Sequence, residues 1–563
     1  MASNQSIEDL AAFLAGMEPS DRPKQTNEYY TSADGRPHPS LTTGLNIGGH
    51  PVQSDSLLLE KQQAFDRMKI QERIVHPAGS GAFGRFTVTK DVSHLTKAQL
   101  FQPGAVTPAY TRFSTVTVGR EYPDSARNPR GFATKFYTPD GNYDLVGLNW
   151  PVFFVRDPWL GPDNIRSQQR NPRTFLLDFQ AWFDFLANVP ESMHAGTMLL
   201  SDHGTPVGWR FMNGFGCHTF SWVNVKGDRT YIKYHWLSEQ GTRNHTMAEA
   251  TKMCGEDPDF AKRDLFENIE AGGRPAWKLY VQTMTPQQAT EVEFDPFDVT
   301  KIWPRGQFPM QEVGRLVLDR NPENYFRDVE EVAFSPGSLV PGIETSPDAL
   351  LLWRTFFYRD AQYHRLGVNL HQVPVNCPFM AQSQNSDNVD GAMRVDDNNA
   401  GKPQYMPNSF HGKGICPVAK PEATEAPYQL GSNVLSRRDH FRQRGQPNEY
   451  KQVRELWQRV MSDQERANTA SNTAALLGTA QEGEVHKRYL AQCYAIDPSY
   501  AKAIFEKLPK KLVSLDEVAE LSKTAHLVNV TPEHSLGPAK STTSGFMGMA
   551  VPSGSTYQFK QQS

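Results

Sequence analysis

The sequence predicts an α+β chain: an antiparallel β-barrel core with an N-terminal arm, a long wrapping segment and a C-terminal helical region. Three observations predict it. Between about residues 72 and 285, alternating apolar and polar runs are joined by short turn sequences, the pattern of hairpin-linked strands that close on themselves. Residues 372–440 are polar and rich in Asn, Gly and Pro, without period. From about 449 to 525 apolar residues recur at helical spacing.

The elements follow in order. Residues 1–70 form the arm, with a short amphipathic helix at 10–17 and a Pro/Gly-rich extended stretch to about Val52. Such a stretch has little to fold on alone and needs the main body or another subunit. Residues 71–371 form the core. Strands are expected at 85–89, 110–118, 133–137, 143–146, 219–225, 230–237 and 278–284. Pro139-Asp140-Gly141-Asn142 and Lys226-Gly227-Asp228-Arg229 are the hairpin turns. One helix interrupts the strands near 175–187, and 286–345 shows much proline and little period. A helix then begins at Ser346-Pro347-Asp348, with Ser346 as N-cap and Pro347 at the first helical position, and stops at Gly367. The wrapping segment is 372–440. The helical region, 441–525, holds segments at 450–461, 463–477, 486–494, 499–507 and 515–522, and 526–563 is a Ser/Thr/Gly-rich tail.

Composition excludes several classes. The chain has 563 residues, 38% hydrophobic and 21% charged, as a soluble globular protein does. A net charge of -4 gives no general attraction to nucleic acid. Five scattered cysteines without a CxxC pair argue for a reducing compartment and against a disulfide framework or zinc site. No run is long enough to span a membrane. Residues 1–10 make a poor secretory signal, and Gln561-Gln562-Ser563 is not the Ser-Lys-Leu address. The expected compartment is the cytosol or the peroxisome.

The helix ending at Gly367 carries chemistry. Arg354 and Tyr358 lie four apart and share a face. A guanidinium beside a phenol favours the phenolate, and tyrosine is one of the few axial haem ligands. Arg365, seven beyond Tyr358, lies on roughly the same face and can reach a carboxylate of that cofactor. Alone, the helix reads more readily as an aromatic packing face with solvated arginines. Gly79-Ser80-Gly81-Ala82-Phe83-Gly84 is a literal GxGxxG, but a strand-like run follows it where a dinucleotide fold needs a helix, so that reading is rejected.

Further segments change the weighting: Glu72-Arg73-Ile74-Val75-His76-Pro77, Arg112-Phe113-Ser114, Asn149-Trp150-Pro151-Val152-Phe153, Gly216-x-His218-Thr219-Phe220, Asp295-Pro296-Phe297-Asp298 and Pro374-Val375-Asn376-Cys377-Pro378. With the helix, these resemble the monofunctional haem catalases from about Asp66 to Pro378. The resemblance implies haem b as cofactor, with Tyr358 as proximal iron ligand held ionised by Arg354. It implies His218 and Asp348 behind that arginine, and Arg73, Arg112 and Arg365 on the haem carboxylates. It places His76 over the distal face with Ser114 and Asn149, and Val75 and Phe153 on the pocket wall. One positioned imidazole can take a proton from one peroxide oxygen and return it to the other.

The chain departs from the family where the access route runs. Asn128 stands for an aspartate, Gly161 and Asn164 for phenylalanines, and Leu148 and Trp150 flank Asn149 where small or polar residues are usual. NADPH, which some members bind, is doubtful here, because His203 and Leu237 replace the arginine and lysine a 2′-phosphate wants, although Arg305 could serve. Two functions are weighed. One is decomposition of hydrogen peroxide to water and dioxygen. The alternative is a repurposed haem oxidase acting on an organic substrate, as in the catalase-like enzymes that form chanoclavine in ergot-alkaloid biosynthesis. The resemblance also implies a homotetramer, while charge and hydropathy point to no nucleic-acid or membrane partner.

Overall fold

The structure is a computed structural model that describes residues 15–17, 28–52, 54–401, 403–405, 407–409 and 449–528. Most of the expected helix at 10–17, the second half of the wrapping segment and nearly all of the tail lie outside these residues.

Ten strands make one antiparallel sheet. They are β1 (Gly79–Val88), β2 (Val106–Thr115), β3 (Arg130–Thr138), β4 (Gly141–Leu148), β5 (Gly214–Phe215), β6 (Phe220–Val223), β7 (Arg229–Ser238), β8 (Ala276–Met284), β9 (Gln311–Arg320) and β10 (Ile343–Glu344). Neighbours run β8-β9-β1-β2-β3-β4-β5-β7, and β7 pairs back onto β8, closing eight strands into a barrel; β6 and β10 extend from β7. The β3–β4 hairpin turns through Pro139-Asp140, where Thr138 pairs with Gly141 at φ +111. The GxGxxG glycines lie within or at the start of β1, not in a loop. A Cβ at Gly84 would lie 1.9 Å from the Val317 carbonyl of β9, so this glycine lets two strands close together.

The two-residue period of the strands separates the faces. Phe113, Phe132 and Trp277 meet inside, with Phe113–Phe132 centroids 4.9 Å apart and Phe132–Trp277 5.5 Å. Aromatics and aliphatics fill the interior, so the barrel is a core and not a channel. The outer face of β2–β4 carries Arg112 beside Ala133 and Val146, and Ser114 beside Gly131 and Leu148. A second core joins the barrel to the helices α3 (Phe179–Asn188), α8 (Asp463–Leu477), α9 (Gly483–Ile496), α10 (Pro498–Lys507) and α11 (Leu515–Ser522). Further helices are α1 (Ser56–Asp66), α2 (Gly161–Ser167), α4 (Met193–Leu200), α5 (Met247–Glu256), α6 (Phe260–Glu270) and α7 (Ala349–Leu366), besides the short turns Pro286–Glu291 and Lys451–Glu455.

Several expectations need correction. β9 falls in a stretch read as having little period; Gly314 interrupts its apolar alternation of Val313, Leu316 and Leu318. Helices α4, α5 and α6 fall where the texture was read as mostly strands. α5 and α6 bury only one residue and three residues, so their apolar period is weak. α7 is capped by Asp348 and not by Ser346: the Asp348 carboxylate accepts the Leu351 N–H at 3.0 Å. Ser346 turns instead to the Thr219 carbonyl, a tertiary partner that local pattern cannot reveal. The stop at Gly367 (φ +92) is where the sequence puts it.

Candidate functional site

The outer face of β2–β4 and the helix α7 enclose the site between them. Two cavities, of about 570 and 720 Å³, share Val75, His76, Gly147, Phe357 and Tyr358. Arg73, Arg112 and Arg365 line the first with Phe334, Ala361 and Gln362. Phe153, Phe154, Gly161, Asn164, Trp353 and Arg354 line the second.

Arg354 and Tyr358, one helical turn apart, touch as expected. Arg354 Nη2 donates to the Tyr358 oxygen at 2.9 Å, and the guanidinium carbon lies 4.8 Å from the ring centroid. A charged donor on that oxygen stabilises negative charge there. His218 Nδ1 and Asp348 Oδ2 are 2.7 Å apart and buried. Arg354 itself donates to the Val146 carbonyl and to Tyr358, so His218–Asp348 stands as a separate pair whose histidine lines the same cavity.

His76 sits just before Pro77 with φ +61, its N–H bonded to the Val116 carbonyl at 2.8 Å. This unusual backbone conformation holds the ring in the cavity. Its Nδ1 is 2.8 Å from the Ser114 hydroxyl. Burial, and then the charges of Arg112, Arg354 and Arg73, push its pKa down to about 3. The ring is therefore neutral near pH 7, with one nitrogen engaged by Ser114.

Three guanidiniums gather at one end. Arg73 donates to the carbonyls of Val329, Glu330 and Val332. Arg365 takes the carbonyls of Glu330 and Val332, and Arg112 those of His76 and Pro77. Burial and mutual repulsion lower the pKa of Arg73 and Arg365. Arg73 Nη1 and Arg112 Nε are buried without a hydrogen-bond partner, and Glu330 lies 3.7 Å from Arg73. An apolar slot with a phenol and an imidazole on its walls and surplus cationic donors at one end fits a flat, largely apolar cofactor bearing carboxylates.

Asn149 is the predicted site residue that lines neither cavity. Its Oδ1 accepts the Arg130 N–H and its Nδ2 donates to the His203 carbonyl, each at 3.0 Å. Three contributors escaped the sequence reading. Phe334 walls the first cavity, and the carbonyls of Val329, Glu330 and Val332, on and after the π-turn Phe326–Glu330, collect two arginines. Gly131 is the third. A Cβ there would lie 2.4 Å from Ser114 Oγ and 2.5 Å from His76 Nδ1. Its place in Asn128-Pro129-Arg130-Gly131 was visible; its role needed the strand register.

The Catalase family profile matches residues 31–412, and that of Catalase-related immune-responsive matches 436–508. The catalase of Methanosarcina barkeri is 44% identical over 485 residues, 86% of this chain and 94% of that one. Catalase-2 of Caenorhabditis elegans is 42% identical over 484 residues, covering 85% and 95%. Catalase A from Saccharomyces cerevisiae superposes with a TM-score of 0.81 at 37% identity, over 86% of this chain and 99% of that one.

Proposed function

The chain belongs to the catalase family, and from that premise we propose how its own residues serve the decomposition of hydrogen peroxide to water and dioxygen. It is a haem-dependent oxidoreductase. The relatives it matches are catalases, which favours peroxide decomposition over the organic-oxidation reading.

The residues present fit haem b. Tyr358 would hold the iron, with Arg354 donating to its oxygen. Arg73, Arg112 and Arg365 would take its two carboxylates, a reading supported by the buried Arg73 Nη1 and Arg112 Nε, which have no hydrogen-bond partner. Val75 and Phe153 wall the reacting side. When bound, the haem supplies the redox chemistry by which one peroxide is reduced and another oxidised. His76 does the proton work. With Nδ1–H donating to Ser114 Oγ, Nε2 carries the free lone pair, takes a proton from one peroxide oxygen and returns it to the other. The Asn149 amide ties the Arg130 strand end behind His76 to the His203 carbonyl, and its proposed role is to hold the peroxide by hydrogen bonding.

The observation that carries the reading is the pairing of neutral His76 and Arg354-bonded Tyr358 on one cavity. Peroxide added to the purified holoenzyme yields rapid oxygen evolution without any organic substrate. Weak evolution from protein with a full haem band overturns it. NADPH is the less supported ligand, since Arg305 alone remains of the three cations named for its phosphate. A homotetramer is the proposed assembly, tested by sedimentation. Among the described residues no helix is long and apolar enough to cross a membrane.

A further inference from the structure

The cavity edge between α2 and α7 is built from a size-matched pair. Gly161, the first residue of α2, faces Trp353 of α7. A Cβ at Gly161 would lie 2.6 Å from Cη2, 2.8 Å from Cζ3 and 3.1 Å from Cζ2 of the indole. No side chain fits at 161 while the indole keeps its place. The indole is also stacked on Phe357, one turn on, with centroids 4.8 Å apart and planes within 3°. It therefore cannot swing aside without losing an aromatic contact. Trp353, Gly161, Asn164, Ile165 and Gln168 line the same 720 Å³ cavity as His76 and Tyr358.

We infer that Trp353 is a specificity-determining residue: its indole, seated in the space Gly161 leaves, closes this edge of the cofactor cavity to aromatic organic donors while peroxide still reaches His76. The inference rests on the cofactor reading above. Trp353 sits on the helix that carries Tyr358, directly before Arg354. The barrier is thus anchored on a rigid element and not on a loop, which makes it a fixed sieve and not a lid.

The test uses holoenzyme and two ligands of the cofactor iron, cyanide and 4-phenylimidazole, each followed by the shift of the haem band. The wild type takes cyanide and discriminates against 4-phenylimidazole. Trp353→Ala tightens 4-phenylimidazole about tenfold or more relative to cyanide. Adding Gly161→Phe to Trp353→Ala refills the gap and restores the discrimination. Equal change for both ligands, or none, overturns the inference. If Trp353→Ala does not hold haem, Trp353→Phe serves: a smaller ring gives an intermediate ratio, and an unchanged ratio overturns the inference. A wild-type chain without a haem band overturns the cofactor reading first and this inference with it.

Discussion

Replacing Gly131 by alanine tests how His76 is held. The register places Gly131 beside Ser114 on the outer face of the barrel, directly under the histidine ring. An added methyl would sit 2.4 Å from Ser114 Oγ, 2.5 Å from His76 Nδ1 and 2.8 Å from its Cε1. Ordinary contact begins at 3.4 Å, so both partners of the 2.8 Å His76–Ser114 bond must retreat, by about 1 Å in the first case. Pro77 and the Val116 carbonyl fix the backbone at 76, so the ring and not the chain moves. A displacement near 1 Å of a proton-transferring group costs about 100-fold in kcat. Overpacking costs about 1–3 kcal/mol in stability. The assay is initial oxygen evolution per haem, with thermal unfolding alongside. A variant with native turnover per haem refutes the idea that Gly131 is the cradle of the histidine.

Other outcomes follow from the same geometry. Tyr358→Phe removes the oxygen proposed to hold iron, and the haem-to-protein absorbance ratio falls sharply; an unchanged spectrum refutes the role. Ser114→Ala frees Nδ1 and lowers kcat about three- to tenfold, measured as oxygen evolution at saturating peroxide. Lys135→Met strands the buried Asp144, whose carboxylate lies 2.7 Å from Lys135 Nζ, and costs about 3–5 kcal/mol by chemical denaturation. His76, His194 and His235 are each pushed down to about 3, chiefly by burial. Their folded pKa values lie below the unfolded value, so unfolding takes up protons as pH falls from 6.5 toward 3. Each histidine then removes about 1.4 kcal/mol of stability per pH unit over that window. Urea midpoints at about pH 7 and about pH 5 check the direction: a midpoint that rises on acidification contradicts it.

Legibility followed the range of the forces. The β3–β4 hairpin, the stop at Gly367 and helices α8 and α11 were read correctly because turn chemistry and short apolar periods set them. The Ser346 cap was misread because Ser346 turns to the Thr219 carbonyl, 127 residues away, while Asp348 accepts the Leu351 N–H. β9 was missed because its apolar period is broken, yet pairing with β1 and β8 on both sides makes it a strand.

By itself the sequence determined the chemistry available. It holds a tyrosine one turn from an arginine, a histidine just ahead of a strand, a serine within another, and three further arginines, because residue type and helical or strand spacing are local properties. Only the tertiary structure decided what those groups face. Strand register set Ser114 and Gly131 under His76, and barrel closure put the site outside a filled core. The carbonyls of Val329, Glu330 and Val332 drew Arg73 and Arg365 to one end. Bringing like charges together in a buried slot requires long-range packing to offset their repulsion and desolvation, and no local pattern records that balance.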